Sequence, residues 1–224
     1  MLFSAFCGVS LNAQKKKFEP EWNIGVGFGP TFSSVDFQRA EQTERLRTKN
    51  TQQYFGGISV KYISEKNLGF IAELNYSQQG WEQLFQDHPE YEHSHQLNYL
   101  EMPILTHIYF GNKVRFIINL GPKIGFLISD SEKMNDALLD YLGSGNYPPS
   151  EVTYQYYHMA DKKIDYGIMG GLGLEFKTGI GSFVLEGRYS FGLGDIYNNK
   201  KSDFFSRSAN RVVSAKLTYY VKLF

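Results

Sequence analysis

The chain holds 224 residues with 23 basic and 23 acidic side chains, so no charge excess points to nucleic acid or to acidic substrates. Glycine (22) and aromatic residues (16%) are plentiful, which suits an all-β protein with tight turns better than a helical bundle. Mean hydropathy is −0.35 and no apolar run reaches the ~18–20 residues of a spanning helix, which excludes a helical membrane protein but not a β-barrel, whose alternation hides its apolar face from any average.

The first segment, MLFSAFCGVSLNAQ (1–14), is apolar, short and ends on Ala13 before Gln14. It reads as the apolar region and cleavage site of a signal peptide whose basic start is missing; a buried first element is the alternative. Cys7 follows Phe6 rather than a small residue, so lipidation is not expected. Cleavage removes the one cysteine and with it any disulfide framework. KKKFEPE (15–21) reads as a short linker, and residues 22–224 as one barrel domain.

Eight segments then alternate with a period of two, the mark of strands with unlike faces. They are 22–32, 53–64, 67–79, 96–110, 113–128, 164–178, 181–194 and 209–223. Most are far longer than the ~5–6 residues usual in soluble domains, and long enough for the ~9–11 of a tilted membrane strand. SEKN (64–67), GNK (111–113) and TGIG (178–181) are tight turns, whereas 33–52, 80–95, 129–163 and 195–208 are long links. Long and short connections therefore alternate. In an up-and-down meander this gathers the short turns at one end and the long loops at the other, the outer-membrane arrangement of short periplasmic turns and long external loops.

The faces follow from the same period. In GSFVLEGRYSFGLG (181–194), Phe183, Leu185, Tyr189, Phe191 and Leu193 form an oily row against Ser182, Val184, Glu186, Arg188 and Ser190. Across the strands the second rows mix glycine with charge: Glu73, Glu101, Glu175 and Glu186 against Lys61, Arg115, Lys123, Lys177, Arg188 and Lys216. A soluble lipocalin-like binder would turn the oily rows inward. Strand length, loop asymmetry and the leader favour lipid outside. An eight-stranded barrel closes around an interior just wide enough for side chains to fill, so Glu73, Glu101, Arg115, Lys123, Glu175, Glu186 and Arg188 are expected to form an ion-pair network in the lumen. Glu175, Glu186 and Arg188 could alternatively be an acid–base set. No nucleophile elbow or phosphate loop occurs, and neither an enzyme nor a cofactor is expected.

Two long loops carry further candidates. DHPEYEHSH (87–95) places His93 and His95 on one side of an extended segment, a weak metal candidate against the reading of a solvated polar loop. In 129–163, Met134, Ala137, Leu138 and Tyr141 recur at helical spacing before a stop at Gly143. Tyr141, Tyr147, Tyr154, Tyr156 and Tyr157 are either anchors of an external binding loop or part of an aromatic girdle.

Several segments resemble the PorT-like outer-membrane β-barrel family of Bacteroidetes. YLEMPILTHIYF (99–110) is similar to its strand with a Leu-Glu-x-Pro core, NLGPKIGFLI (119–128) to the Gly-Pro strand that follows, and GGLGLEF (170–176) with LEGRYSFGLGDI (185–196) to its last hairpin. The resemblance spans about residues 22–224. It implies an eight-stranded antiparallel up-and-down barrel in the cell outer membrane, with Glu101, Pro103, Glu175, Glu186 and Arg188 as shared interior residues. It also implies outer-membrane lipid, the barrel-insertion machinery and other envelope or secretion proteins as partners, and no nucleic acid. The expected role is a non-enzymatic barrel serving envelope structure or loop-mediated binding. An accessory part in protein secretion, or narrow-channel transport, is the alternative. Phe224 ends the chain on the row of Lys216, Thr218 and Lys222, and so does not continue the oily stripe.

Overall fold

The computed structural model describes residues 18–39, 46–145, 153, 155–198 and 205–223. The expected leader 1–14, Tyr147, Tyr154 and Phe224 lie outside them. The chain runs β1 (Glu21–Arg39), β2 (Thr48–Lys49), β3 (Thr51–Glu65), β4 (Leu68–Gln83), β5 (His93–Gly111), β6 (Val114–Met134), α1 (Asp136–Ser144), β7 (Ile164–Thr178), β8 (Gly181–Gly192) and β9 (Phe205–Lys222). All strand pairs are antiparallel, and each long strand pairs with its neighbours in sequence. β1 closes on β9 from Asn23↔Lys222 to Arg39↔Phe205. The eight long strands thus form a ring without a free edge, and β2 adds a short pairing to the top of β4.

Alternation decides the faces as expected from the pattern. Phe28 is 65% exposed and Leu120 58%, whereas Lys61, Lys123 and Lys216 on the opposite rows are at most 2% exposed. A lipocalin-like interior is ruled out by that inversion. The outward row of β5 from Leu100 to Phe110 is apolar but for Thr106, and spans the ~9–11 residues that cross a bilayer at a tilt. Beyond Leu100 the outward positions become Asn98, Gln96 and Ser94. The same change occurs on β1 after Phe32, where Ser34 and Asp36 follow, and on β4 after Tyr76, where Gln78 follows. The aromatic rings that fringe the apolar rows include Trp22 and Tyr62 at the short-turn end, with centroids 4.5 Å apart, and Phe183 with Tyr219, 4.9 Å apart.

The strands outrun their expected bounds at the long-loop end. β1 continues to Arg39, β4 to Gln83, β6 to Met134, and β5 starts at His93. The sheet therefore stands roughly 15 Å clear of the apolar rows on that side. At the other end the turns are tight, with Asn67 at φ 71° donating from its side chain to Tyr109 O at 2.7 Å, and Gly111 at φ 112°. Both positions need the left-handed region that Asn and Gly tolerate. Of the expected linker, Glu21 already opens β1, and Phe18 packs on a cluster of Ile63, Tyr109, Ile117, Val184 and Tyr220 that floors the barrel. The helix stops at Gly145, which takes φ 66°, rather than at Gly143, which lies inside the last turn.

The β1–β9 seam is tightest at Gly29, where an added Cβ would fall on the Ala215 carbonyl oxygen and nothing but backbone could give way. Gly29→Val should destabilise the closed ring by about 1–3 kcal/mol, the usual cost of overpacking. Urea unfolding in lipid vesicles, followed by loss of the fast-migrating folded band on unheated gels, checks this; an unchanged midpoint counts against the seam being tight there.

Candidate functional site in the sealed lumen and external mouth

The inward rows stack charge in three tiers. Nearest the short turns, Glu175 pairs with Lys61 and, at 3.3 Å, with Arg115. Each cation also lies 4.2 Å from an aromatic ring, Lys61 over Tyr220 and Arg115 over Tyr109. In the middle tier the Arg188 fork meets both Glu73 oxygens at 2.8 Å and Glu186 at 2.7 Å. Lys216 reaches Glu73 at 2.7 Å, Asn75 donates to Glu73 at 2.9 Å, and Asn119 donates to Glu186 at 2.7 Å. His107 Nδ1 lies 2.7 Å from Asn119 Oδ1. Above them Lys123 bridges Glu101 at 2.7 Å and Asp165 at 3.2 Å, and Gln79 donates to Glu101 at 2.9 Å.

Among the described residues these tiers set five acids (Glu73, Glu101, Asp165, Glu175, Glu186) against five bases (Lys61, Arg115, Lys123, Arg188, Lys216). Asp165 joins the set, and Lys177, expected inside, sits half-exposed at the rim, 3.5 Å from Glu21. Buried ions are tolerated when each finds counter-charge and hydrogen bonds, and here the counts match.

Above the charged tiers the mouth is closed by apolar packing. Val35, Phe37, Trp81, Leu97, Tyr99, Ile196 and Tyr197 form one buried cluster. β1 leans across to β4, where Ser33 Oγ donates to Gly80 O at 3.0 Å and accepts from Gly80 N at 2.9 Å. On the wall of this cluster, beyond the lipid-facing row of β5, lie His93 and His95. His93 Nε2 is 2.6 Å from Glu132 Oε1, and His95 Nδ1 is 3.1 Å from Asp130 Oδ1. Burial pushes the His93 pKa down to about 4, so its imidazole is neutral at pH 7.

The loops form a cap over this mouth. Asn135 caps α1 by accepting from Leu138 N at 3.1 Å, and it also accepts from Glu92 N and donates to Glu90 O. Tyr141 stacks on Tyr91 at 5.3 Å, and Tyr91 on His88 at 4.9 Å. The helix and the 84–92 loop are thereby tied together. Tyr156 is buried with its ring 4.9 Å from His93, while Tyr157 is 68% exposed.

Comparison with known proteins agrees with this architecture. Residues 12–198 match the family model described as "Outer membrane protein beta-barrel domain". This chain belongs to that family. The outer-membrane barrel also resembles solved structures at low identity. The outer membrane protein OprG from Pseudomonas aeruginosa matches with TM-score 0.53 and 13% identity, over 90% of this chain and 95% of that one. Ail of Yersinia pestis, in complex with the heparin analogue sucrose octasulfate, matches with TM-score 0.44 and 12% identity, over 91% and 100%. AlkL in DMPC lipid bilayers matches with TM-score 0.48 and 8% identity, over 99% and 98%. No curated protein matches the chain. The protein is a small eight-stranded barrel of the cell outer membrane.

The residues singled out from the sequence divide between the lumen, the mouth and the cap. Glu73, Glu101, Arg115, Lys123, Glu175, Glu186 and Arg188 all face the lumen of the outer-membrane barrel and all make ion pairs. Glu175, Glu186 and Arg188 do not form one acid–base set: Glu175 belongs to the lowest tier and the other two to the middle one. His93 and His95 are not on a solvated loop but at the start of β5, pointing inward. Of the five tyrosines, the described three part company: Tyr141 in the loop stack, Tyr156 buried, Tyr157 in solvent. None of the three fringes the lipid-facing rows. Asp130 and Glu132 were hidden in a segment that reads as loop; one extra residue at Ile128 shifts the inward set from odd to even numbers.

Glu73 is the hub of the middle tier. Glu73→Ala strands Lys216 and leaves Arg188 only Glu186, so it should cost about 3–5 kcal/mol. Glu186→Ala leaves the Arg188 fork seated on Glu73 and should cost clearly less. Urea unfolding of both variants in vesicles gives the order, and equal losses contradict the hub.

Proposed function

We propose that this barrel is a non-enzymatic, non-conducting outer-membrane protein whose working surface is its external cap. The observation that carries the reading is the filled lumen: three ion-paired tiers topped by an apolar cluster around Trp81. A side-chain-filled interior supplies stiffness rather than a path. These acids are buried and each faces a cation, which argues for structural charge rather than catalysis.

What the barrel lifts clear of the lipid is the cap. Its exposed apolar side chains, Leu84, Leu139, Tyr157 and Met159, sit outside the lipid-facing rows on the docked loops. Apolar groups presented on a rigid, hydrogen-bonded support are the ordinary equipment of a contact surface. The role we assign is therefore envelope scaffolding through loop-mediated binding, with outer-membrane lipid around the wall and other envelope proteins above it. PorT-like kinship is part of the same proposal. It is supported by the Leu-Glu-x-Pro strand, which turns Glu101 and Pro103 into the lumen, and by the hairpin that brings Glu186 and Arg188 to one tier. Handling by the barrel-insertion machinery belongs to the same proposal, and the closed outer-membrane barrel supports it.

Planar-bilayer recording of the purified barrel should show no steps above bare lipid. The double variant Glu73→Ala/Arg188→Ala, which thins the middle tier, should stay equally silent while folded on unheated gels, because the clusters around Trp81 and Ile117 still plug both ends. Steady open steps in the native protein overturn the proposal.

A further inference from the structure

We propose that His93, His95 and Glu132 form a binding site for one zinc-class divalent transition ion at the external mouth. The three come together through strand geometry. His93 and His95 stand two apart on β5 and share a face, and register places Glu132 of β6 directly opposite His95. Their ligand atoms all lie within 4.8 Å of one another. All three are secluded: the side chains of the two histidines are 0% exposed and that of Glu132 is 6% exposed.

The hydrogen-bond pattern points to a ligand. His95 Nε2 is buried and makes no hydrogen bond among the described residues, although Glu132 Oε1 is 3.3 Å away. That spacing is the edge of a tetrahedron whose arms are ~2.0–2.1 Å, the length of a zinc–nitrogen or zinc–carboxylate bond. Meanwhile both Nδ1 atoms have acceptors: Asp130 Oδ1 at 3.1 Å for His95 and Gln83 Oε1 at 3.0 Å for His93. An imidazole held through Nδ1–H by a carboxylate or carbonyl offers its Nε2 lone pair in a fixed direction, the arrangement found behind metal-bound histidines. For His93 the ion replaces the 2.6 Å contact with Glu132, and the ring proton moves to the Nδ1 that faces Gln83. Glu132 is itself oriented, accepting from Tyr157 N on both oxygens at 3.1 and 3.0 Å.

Two imidazoles and a carboxylate suit zinc, copper or nickel better than calcium or magnesium, which take all-oxygen shells. Trp81 stacks on His95 at 5.1 Å and stands edge-on to His93 at the same distance, walling the site on the lumen side. Through Glu132 the ion would fasten β5 and β6 to Tyr157, the most exposed aromatic among the described residues of the cap.

The test uses the full, tag-free barrel in detergent micelles, stripped with chelator and titrated with Zn²⁺ by calorimetry and with Co²⁺ by visible absorption. One equivalent should bind, with a Co²⁺ spectrum of tetrahedral type. Asp130→Asn should weaken binding about 10–100-fold, as loss of an outer carboxylate partner does. His93→Gln/His95→Gln should abolish the stoichiometric site while the unheated gel still shows the folded band; should that pair fail to fold, Glu132→Gln serves the same purpose. His88→Gln/His158→Gln, which removes two solvent-side histidines, should change nothing. No stoichiometric binding to the folded native barrel overturns the proposal, as does binding that survives loss of His93 and His95 or disappears with His88 and His158. None of these results bears on conductance, so this site and the sealed-lumen reading stand or fall separately.

Discussion

The structure depends on one constraint: in hydrocarbon every backbone N–H and C=O must find a partner within the protein. A helix meets that demand alone, but this chain has no helix long and apolar enough to cross a membrane among its described residues. A sheet meets it by closing, and the β1–β9 seam supplies the last ladder. Closure with eight strands then dictates the rest. The interior of an eight-stranded barrel is just wide enough for side chains to fill, and here long charged ones do so. The outward rows are committed to lipid, and the inward rows must satisfy themselves.

Ion pairs are a costly filling, because taking charge out of water is repaid only by good geometry. What they add is register. A one-residue slip of β6 or β8 would turn Lys123 or Arg188 toward lipid, at about 2–4 kcal/mol for a cation near the midplane. An apolar lumen would lose that penalty, since both faces would be oily. The bidentate Arg188–Glu73 pair spans β8 and β4, and Lys61–Glu175 spans β3 and β7. These links cross the lumen rather than follow the ladder, so they fix strands that never touch through their backbones. Among the described residues five acids meet five bases, and the balance is struck over the whole stack: the lowest tier has one base in excess, the upper tier one acid, and the middle tier is even.

Much of this was legible in the sequence because period-two alternation and loop length are local signals. The lipid-facing rows of β4 to β9 below the rim, the three tight turns and the inward placement of Glu101 or Arg188 could all be read from residue order. What was not legible depends on departures from strict alternation. The extra residue at Ile128 reverses parity on β6, so Asp130 and Glu132 look like loop residues although they line the mouth. Phe18 belongs to a polar stretch that reads as linker, and only the tertiary fold shows it resting on Tyr220 and Ile117. Tyr156 and Tyr157 are adjacent and chemically identical; one is buried on His93 and the other faces water. Nothing local separates them, because the choice is made by the left-handed backbone at Tyr157, φ 59°, held by Glu132.

The strands' excess length explains why the external mouth is the place to look for function. Within the lipid, each side chain is already committed to hydrocarbon on one face or to charge pairing on the other. Past Leu100 and Phe32 both faces are released from those demands, yet the ladder continues to His93 and Arg39. The sheet there behaves as soluble β-structure, with its own apolar core around Trp81 and polar residues on its outer face. Side chains on such an extension are held by ladder hydrogen bonds rather than by loops, so their relative positions are fixed more tightly. Loops 84–92 and 155–158 then dock on that rigid rim through Asn135, Tyr91 and Glu132. A barrel evolved only to sit in a membrane could end its strands at the lipid boundary, and it is the ordered rim beyond that boundary that gives the protein something to offer the exterior.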